Sequence, residues 1–313
     1  LDELVKYLLL EVEKYKLNDW GLASLIMQTA QNYYSDRNQQ ILFAWTALLH
    51  SGYNVKVGYG DDRIFLLVPA DVRIFSPSFT INDRKYYIFD IVKGKPEVNR
   101  LFIYESDYPD SKPLLSFIIS QTPQLGFRPV NKRLVTYDES VLDLQLNKNL
   151  VDYYGNYPDC ELSVYFKTPL SGNVCRYLDT KFVPQLDKLN DNERVSVLLK
   201  YVQLAIKYES DKNQFGGERY LFADETLFYG AADCEDRSIL FAKLVDRYTS
   251  LDAIGIRYPD HVSLAVNLQG SPPGNFLVYN NKQYYYCDPT YLGAECGSLM
   301  PSLADVKPEI IDY

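Results

Sequence analysis

Residues 223–245 read ADETLFYGAADCEDRSILFAKLV, and the second half of that stretch decides the fold. Ile239, Ala242 and Val245 recur at helical spacing, with Leu240, Phe241 and Leu244 widening the apolar face, so the pattern predicts a largely buried helix. Asp233 is the expected N-cap. Glu235 and Asp236 fall in the first turn, where the helix dipole favours negative charge. Cys234 therefore stands at the N-terminal tip of that helix. Orphan backbone N–H groups at such a tip lower a thiol pKa and can hold an oxyanion. A small buried apolar cysteine fits the same position, and the stretch alone leaves both roles open.

The partners lie downstream. His261, one of only two histidines, opens the alternating run HVSLAVNL. Val262, Leu264, Val266 and Leu268 are expected inward, with His261, Ser263 and Ala265 on the other face. The run QYYYCDPT ends at Asp288-Pro289, where the proline stops the strand just after the acid. Asp288 follows His261 by the same 27 residues that separate His261 from Cys234. If the two strands are antiparallel, the start of one lies beside the end of the other, and His261 meets Asp288. A helix-tip thiol, a strand-start imidazole and a strand-end carboxylate are what a thiolate–imidazolium pair with an orienting acid requires.

ETLFYGAADCEDRSILFAKLV, YPDHVSLAV and YYYCDPTYLGAECGSLMP together resemble the bacterial transglutaminase-like superfamily of papain-type fold. Its pattern is ETL, a glycine-bearing turn, DCED heading a helix, an isolated His before a strand, and DPT. The likeness covers residues 189–301, about a third of the chain. It departs at Ala232, where many members carry Gly, and a Cβ there narrows the approach to the thiol. The resemblance implies a thiol-dependent amide-bond hydrolase (a peptidase or amidase) or an acyl transferase acting on a peptide or protein. Cys234 would be the nucleophile, His261 the base and Asp288 the orienting acid, with no cofactor. The alternative is a non-catalytic binding or scaffold protein whose site is vestigial.

Length and composition set the bounds. A chain of 313 residues implies two to three domains, and 47% hydrophobic residues can bury substantial cores. A net charge of −9 without any basic stripe argues against a nucleic-acid partner. No apolar run reaches the length of a membrane span. With no CxxC pair and two distant histidines, no metal site is expected, and no glycine loop suits a phosphate. Glu235 and Asp236 read as dipole partners or acceptors for Arg237 rather than as cation ligands, and their charge opposes the helix tip. Of the five cysteines, Cys160 and Cys175 could pair or stay reduced, while Cys287 reads as packing. The compartment stays open, with an extracytoplasmic one preferred.

The helix–sheet order recurs along the chain. LDELVKYLLLEVEKY, WGLASLIMQTAQNYY and QQILFAWTALLH read as helices, followed by strand-like NVKVGY, RIFLLV and KYYIFD. At a gap-free offset of 198, Ile41–Ala44 falls on Ile239–Ala242, Leu66 on Leu264 and Tyr86-Tyr87 on Tyr284-Tyr285. The same offset sets Asp36, Arg63 and Asp90 under Cys234, His261 and Asp288, and predicts that these three form a charge cluster. The expected fold is α+β: a degenerate transglutaminase-like domain over 1–93, a β-sandwich-like middle domain over 94–170, and a papain/transglutaminase-like catalytic domain over 171–313. In the polar loop ESDKNQFGGERY, Gln214 is the candidate oxyanion donor. Residues 189–208 read as an amphipathic helix capped by Asp191 or Asn192.

Overall fold

The computed structural model describes residues 1–60, 62–89, 100–104, 106, 114–135 and 141–313, a mixture of helix and sheet. They form two compact units, Leu1–Leu125 with Pro158–Val164, and Gly126–Tyr157 with Tyr165–Tyr313. No helix among them is long and apolar enough to cross a membrane.

The first unit opens with α1 (Asp2–Lys14), α2 (Asp19–Tyr33) and α3 (Arg37–His50). Asn18 caps α2 by accepting from Gly21 N at 3.1 Å, and Asp36 caps α3 by accepting from Gln39 N at 2.9 Å. Ile41, Ala44, Ala47 and Leu48 form the buried stripe of α3. Strands β1 (Lys56–Gly60), β2 (Arg63–Pro69), β3 (Ser78–Ile81), β4 (Arg84–Phe89) and β5 (Phe102–Ile103) make an antiparallel sheet ordered β3-β4-β2-β1-β5.

The second unit begins with the hairpin β6 (Pro129–Val135) and β7 (Val141–Asn147), followed by α4 (Lys148–Gly155). Next come α5 (Leu162–Lys167), whose residues up to Val164 belong to the first unit, then α6 (Gly172–Leu186), α7 (Asp191–Ala205), β8 (Lys207–Tyr208), α8 (Asp211–Phe215), α9 (Ala223–Tyr229), β9 (Ala231–Ala232) and α10 (Cys234–Tyr248). Strands β10 (Ala253–Tyr258), β11 (His261–Val266), β12 (Phe276–Tyr279), β13 (Lys282–Cys287) and β14 (Glu309–Ile311) form the second sheet, ordered β12-β13-β11-β10-β14.

The two sheets share order and register at the offset of 198. The rungs Val57↔Leu66, Phe79↔Tyr86 and Leu66↔Phe89 reappear as Gly255↔Leu264, Leu277↔Tyr284 and Leu264↔Cys287. The hairpin turns match as well. Asn82 and Asp83 hold φ of 48° and 60°, and Asn280 and Asn281 hold 48° and 61°. Left-handed geometry of this kind is tolerated best by Asn and Asp among non-glycine residues.

The charge cluster does not carry over with the frame. Asp36 is exposed and spends its carboxylate on Gln39 N, while exposed Arg63 lies with its guanidinium 5.3 Å from the Phe65 ring centroid. No ion pair joins them among the described residues, because at this strand end both side chains reach solvent and neither needs a counter-charge. Asp90 and the expected domain edge at 93–94 lie outside the described residues.

The sandwich expected over 94–170 is likewise not formed by the described residues of that stretch. Strand β5 joins the first sheet, and β6–β7 is a lone hairpin. The buried alternate positions of the hairpin, Leu134, Leu142, Leu144 and Leu146, find cover without a second sheet, since α6 packs on β7. ELSVYFKT, within the stretch expected to form the sandwich, supplies the helix α5 instead. Val164, Tyr165 and Phe166 are all buried, so packing on every side overrides their β-propensity.

Candidate active site

Helix α10 is buried from Glu235 to Val245, with Ile239 through Ala242 at zero exposure. It lies on β11 and against α7 and α9. Asp233 is its N-cap residue, but the side chain makes no capping bond. The approach to Cys234 is built by α9, whose left-handed Gly230 (φ 70°) ends the helix and turns the chain into β9. Parallel pairing of β8 with β9 then lays Lys207 and Tyr208 beside Ala231 and Ala232. Glu225 fixes the start of α9 by accepting from Phe222 N at 3.2 Å and pairing with Arg219. Asp236 holds the preceding loop through Leu221 N at 2.7 Å.

Strand β11 is buried on both faces, not one. Helix α10 covers one side, and Ala265 joins a cluster of Ile254, Ile256, Tyr258 and Tyr284 on the other. The alternation expected from HVSLAVNL is therefore an alternation between two cores. Ser238 Oγ bonds Cys234 O at 2.7 Å and Val262 O at 3.2 Å, tying the first turn of α10 to the start of β11. Strands β11 and β13 are antiparallel with Leu264 opposite Cys287, so the ladder continued by one rung sets Asp288 opposite Ser263. His261 is its diagonal neighbour on the same face.

There His261 Nε2 meets Asp288 Oδ2 at 2.7 Å, with side chains 13% and 6% exposed. The other oxygen of Asp288 accepts from Thr290 N at 2.8 Å and Tyr291 N at 3.2 Å. The carboxylate is thus locked by its own loop. With Nε2 taken, Nδ1 is the imidazole edge left for a proton from elsewhere.

Partly buried Cys234 is the first residue of α10, yet its thiol donates to Glu235 Oε2 at 3.0 Å. Burial pushes its pKa well above the ordinary thiol range, and the Glu235 charge and hydrogen bond push it further. The Val262 backbone N–H pulls the other way. The lowering expected from the helix tip is therefore outweighed, first by burial of the sulfur and then by the flanking acids, which oppose the helix's orphan amides.

Those acids extend to a residue the sequence did not single out. Oxygens of Asp211, Asp233 and Glu235 lie within 4.8 Å of one another, the spacing of a cation's ligands. Burial and the charges of Glu235 and Asp211 raise the Asp233 carboxyl to about 8, while burial raises Asp211 to about 6. Asp211 belongs to α8, which folds from the polar loop, and it accepts from Arg219 N at 2.7 Å. Gln214 is on the same short helix, partly buried, and its side-chain oxygen has no partner among the described residues. Among the cysteines, Cys160 and Cys287 are buried, and Cys175 and Cys296 are partly exposed.

Arg237 departs from its expected pairing with Glu235 and Asp236. It is 2% exposed and directs its guanidinium to the carbonyls of Pro289, Gln203 and Ile206. The helix cap upstream also shifts. Asn190, not Asp191 or Asn192, caps α7 in a reciprocal box with Glu193, and Asp191 instead holds Ser250.

No protein-family model, curated protein or solved structure matches the chain, and the functional reading rests on this geometry together with the sequence motifs.

Proposed function

We propose that the second unit is a thiol-dependent amide-bond hydrolase, a peptidase or amidase of transglutaminase-like type, acting on a peptide or protein through Cys234, His261 and Asp288. The observation that carries this reading is the 2.7 Å hydrogen bond between His261 Nε2 and Asp288 Oδ2, which holds the imidazole by one nitrogen. His261 Nδ1 takes the proton of Cys234, and the thiolate attacks the amide carbonyl carbon. The oxyanion is met by orphan amides of the first turn of α10, with Gln214 as the second donor. Collapse breaks the C–N bond, the departing amine takes the proton from His261, and water cleaves the thioester. Hydrolysis is preferred to transfer onto an amine because water needs no second binding site. In the same reading the first unit is a degenerate copy of the core, which its shared register supports.

One observation favours a second reading, a binding or scaffold protein with a vestigial site: the thiol bonds Glu235. A library of peptide electrophiles, read by mass spectrometry, separates the two. A live site labels at Cys234, and Asp288→Asn keeps the circular dichroism spectrum while labelling slows steeply, because the imidazole loses its working tautomer. A vestigial site labels no cysteine faster than an unstructured thiol peptide does.

A further inference from the structure

Arg237 is the largest fully buried side chain among the described residues, and the proposed chemistry leaves its charge unused. It follows Cys234 by three residues on α10. Its Nη1 donates to Pro289 O at 3.1 Å, and its Nη2 to Gln203 O at 3.4 Å and to Ile206 O. Gln203 and Ile206 stand at the end of α7, where helix carbonyls lack intrahelical donors and a cation is favoured.

Even so, the arrangement is costly. No carboxylate lies within ion-pair distance among the described residues, and the Nε donor is buried without a partner. Burial pulls the guanidinium pKa down, with the Asp288 charge opposing it. A buried cation held mainly by carbonyls is no better for stability than an apolar side chain of similar volume. Its use lies in what it holds.

Gln203 completes the contact. Its side chain, on a residue 3% exposed, donates to Asp288 O at 3.1 Å, Tyr291 O at 2.9 Å and Ala294 O at 3.1 Å. The Asp288 carboxylate is fixed by amides of this same loop, so wherever the loop goes the carboxylate follows. We infer that Arg237, together with Gln203, is a positioning residue of the triad, fixing the loop that carries Asp288 to the helix that carries Cys234. The inference rests on the triad reading above, and neither side chain needs to touch substrate.

The test follows iodoacetamide labelling of each cysteine in the full chain by mass spectrometry, with buried Cys160 and Cys287 as monitors of unfolding. Asp288→Asn is measured first: an unchanged Cys234 rate refutes the triad reading, whatever Arg237 does. Given slowing there, Arg237→Met should slow Cys234 by about tenfold, the weight of a lost hydrogen bond to a charged group, with both monitors still protected. Arg237→Lys should recover only part of the rate, since an ammonium does not reproduce the guanidinium fork. In the Asp288→Asn background, Arg237→Met should add nothing. A wild-type rate in Arg237→Met, or full additivity in the double variant, overturns the inference. If Arg237→Met exposes the monitors, Gln203→Met and Arg237→Lys carry the test, and wild-type Cys234 rates in both overturn it.

Discussion

Glu235 sets the resting state of the thiol, and Glu235→Gln should release it. The carboxylate accepts from Cys234 Sγ at 3.0 Å, and its charge and hydrogen bond raise the thiol pKa beyond what burial does. A hydrogen bond to a charged group is worth about 1.5–3 kcal/mol against about 1 kcal/mol for a neutral one. The difference of about 1.4 kcal/mol is roughly one pKa unit, or about tenfold more thiolate at a pH below the midpoint. Nucleophilicity falls as the pKa falls, with a Brønsted slope of about 0.4–0.5, so the net gain in alkylation rate is about three- to fourfold. The assay is a pH series of iodoacetamide labelling quantified at Cys234. The rate should rise and the midpoint should move to lower pH, with the helix losing at most about 1 kcal/mol of dipole stabilisation. An unchanged midpoint, or slower labelling, would refute the account of Glu235 as the acceptor that keeps the thiol protonated.

Three further outcomes follow from the same geometry. Asp233, Asp211 and Asp224 are buried acids raised to about 8, about 6 and about 6, so the fold keeps protons that the unfolded chain releases near 3.8. The native state then binds more protons across that window, and stability falls as pH rises through it; a urea midpoint higher at about pH 5 than at about pH 8 is expected. Phe241→Ala, at a position of zero exposure on α10, should cost about 3–5 kcal/mol in chemical denaturation. Gly297→Ala should lower the melting temperature, because Gly297 has φ 87° and an added Cβ would stand 3.0 Å from Gly274 Cα. An unchanged melting point would mean that the loop after Asp288 gives way freely.

What was legible in the sequence was whatever repeats with a period. Helix α10 announced itself by its apolar spacing, and the frame shared by the two sheets showed as a constant offset. The meeting of His261 with Asp288 followed from two strand ends and one antiparallel pairing. Side-chain direction did not follow. Arg237 sits among acids in sequence, yet turns to carbonyls brought from α7 and the Asp288 loop. Gln203 does carry a signal in the sequence: it is a polar residue on the buried stripe of α7 with Leu199 and Val202. Asp211 could not be read as a neighbour of Asp233, because only the parallel pairing of β8 with β9 brings their segments together. The lone hairpin differs from the expected sandwich because alternation shows that one face is covered, not what covers it.

The first unit takes back a late piece of chain. Residues Pro158–Val164 belong to it although Gly126–Tyr157 has already been given to the second unit. That late piece is bonded in: Phe75 N reaches Asp159 O at 2.8 Å, and Glu161 N reaches Arg73 O at 3.0 Å. Domains ordinarily fold in the order in which they leave the ribosome. Here the N-terminal unit stays unfinished until the β6–β7 hairpin has been synthesised. A fragment cut at Leu125 would leave the partners of Arg73 and Phe75 behind, so the first unit has to be produced with residues 158–164 supplied, in the same chain or in trans.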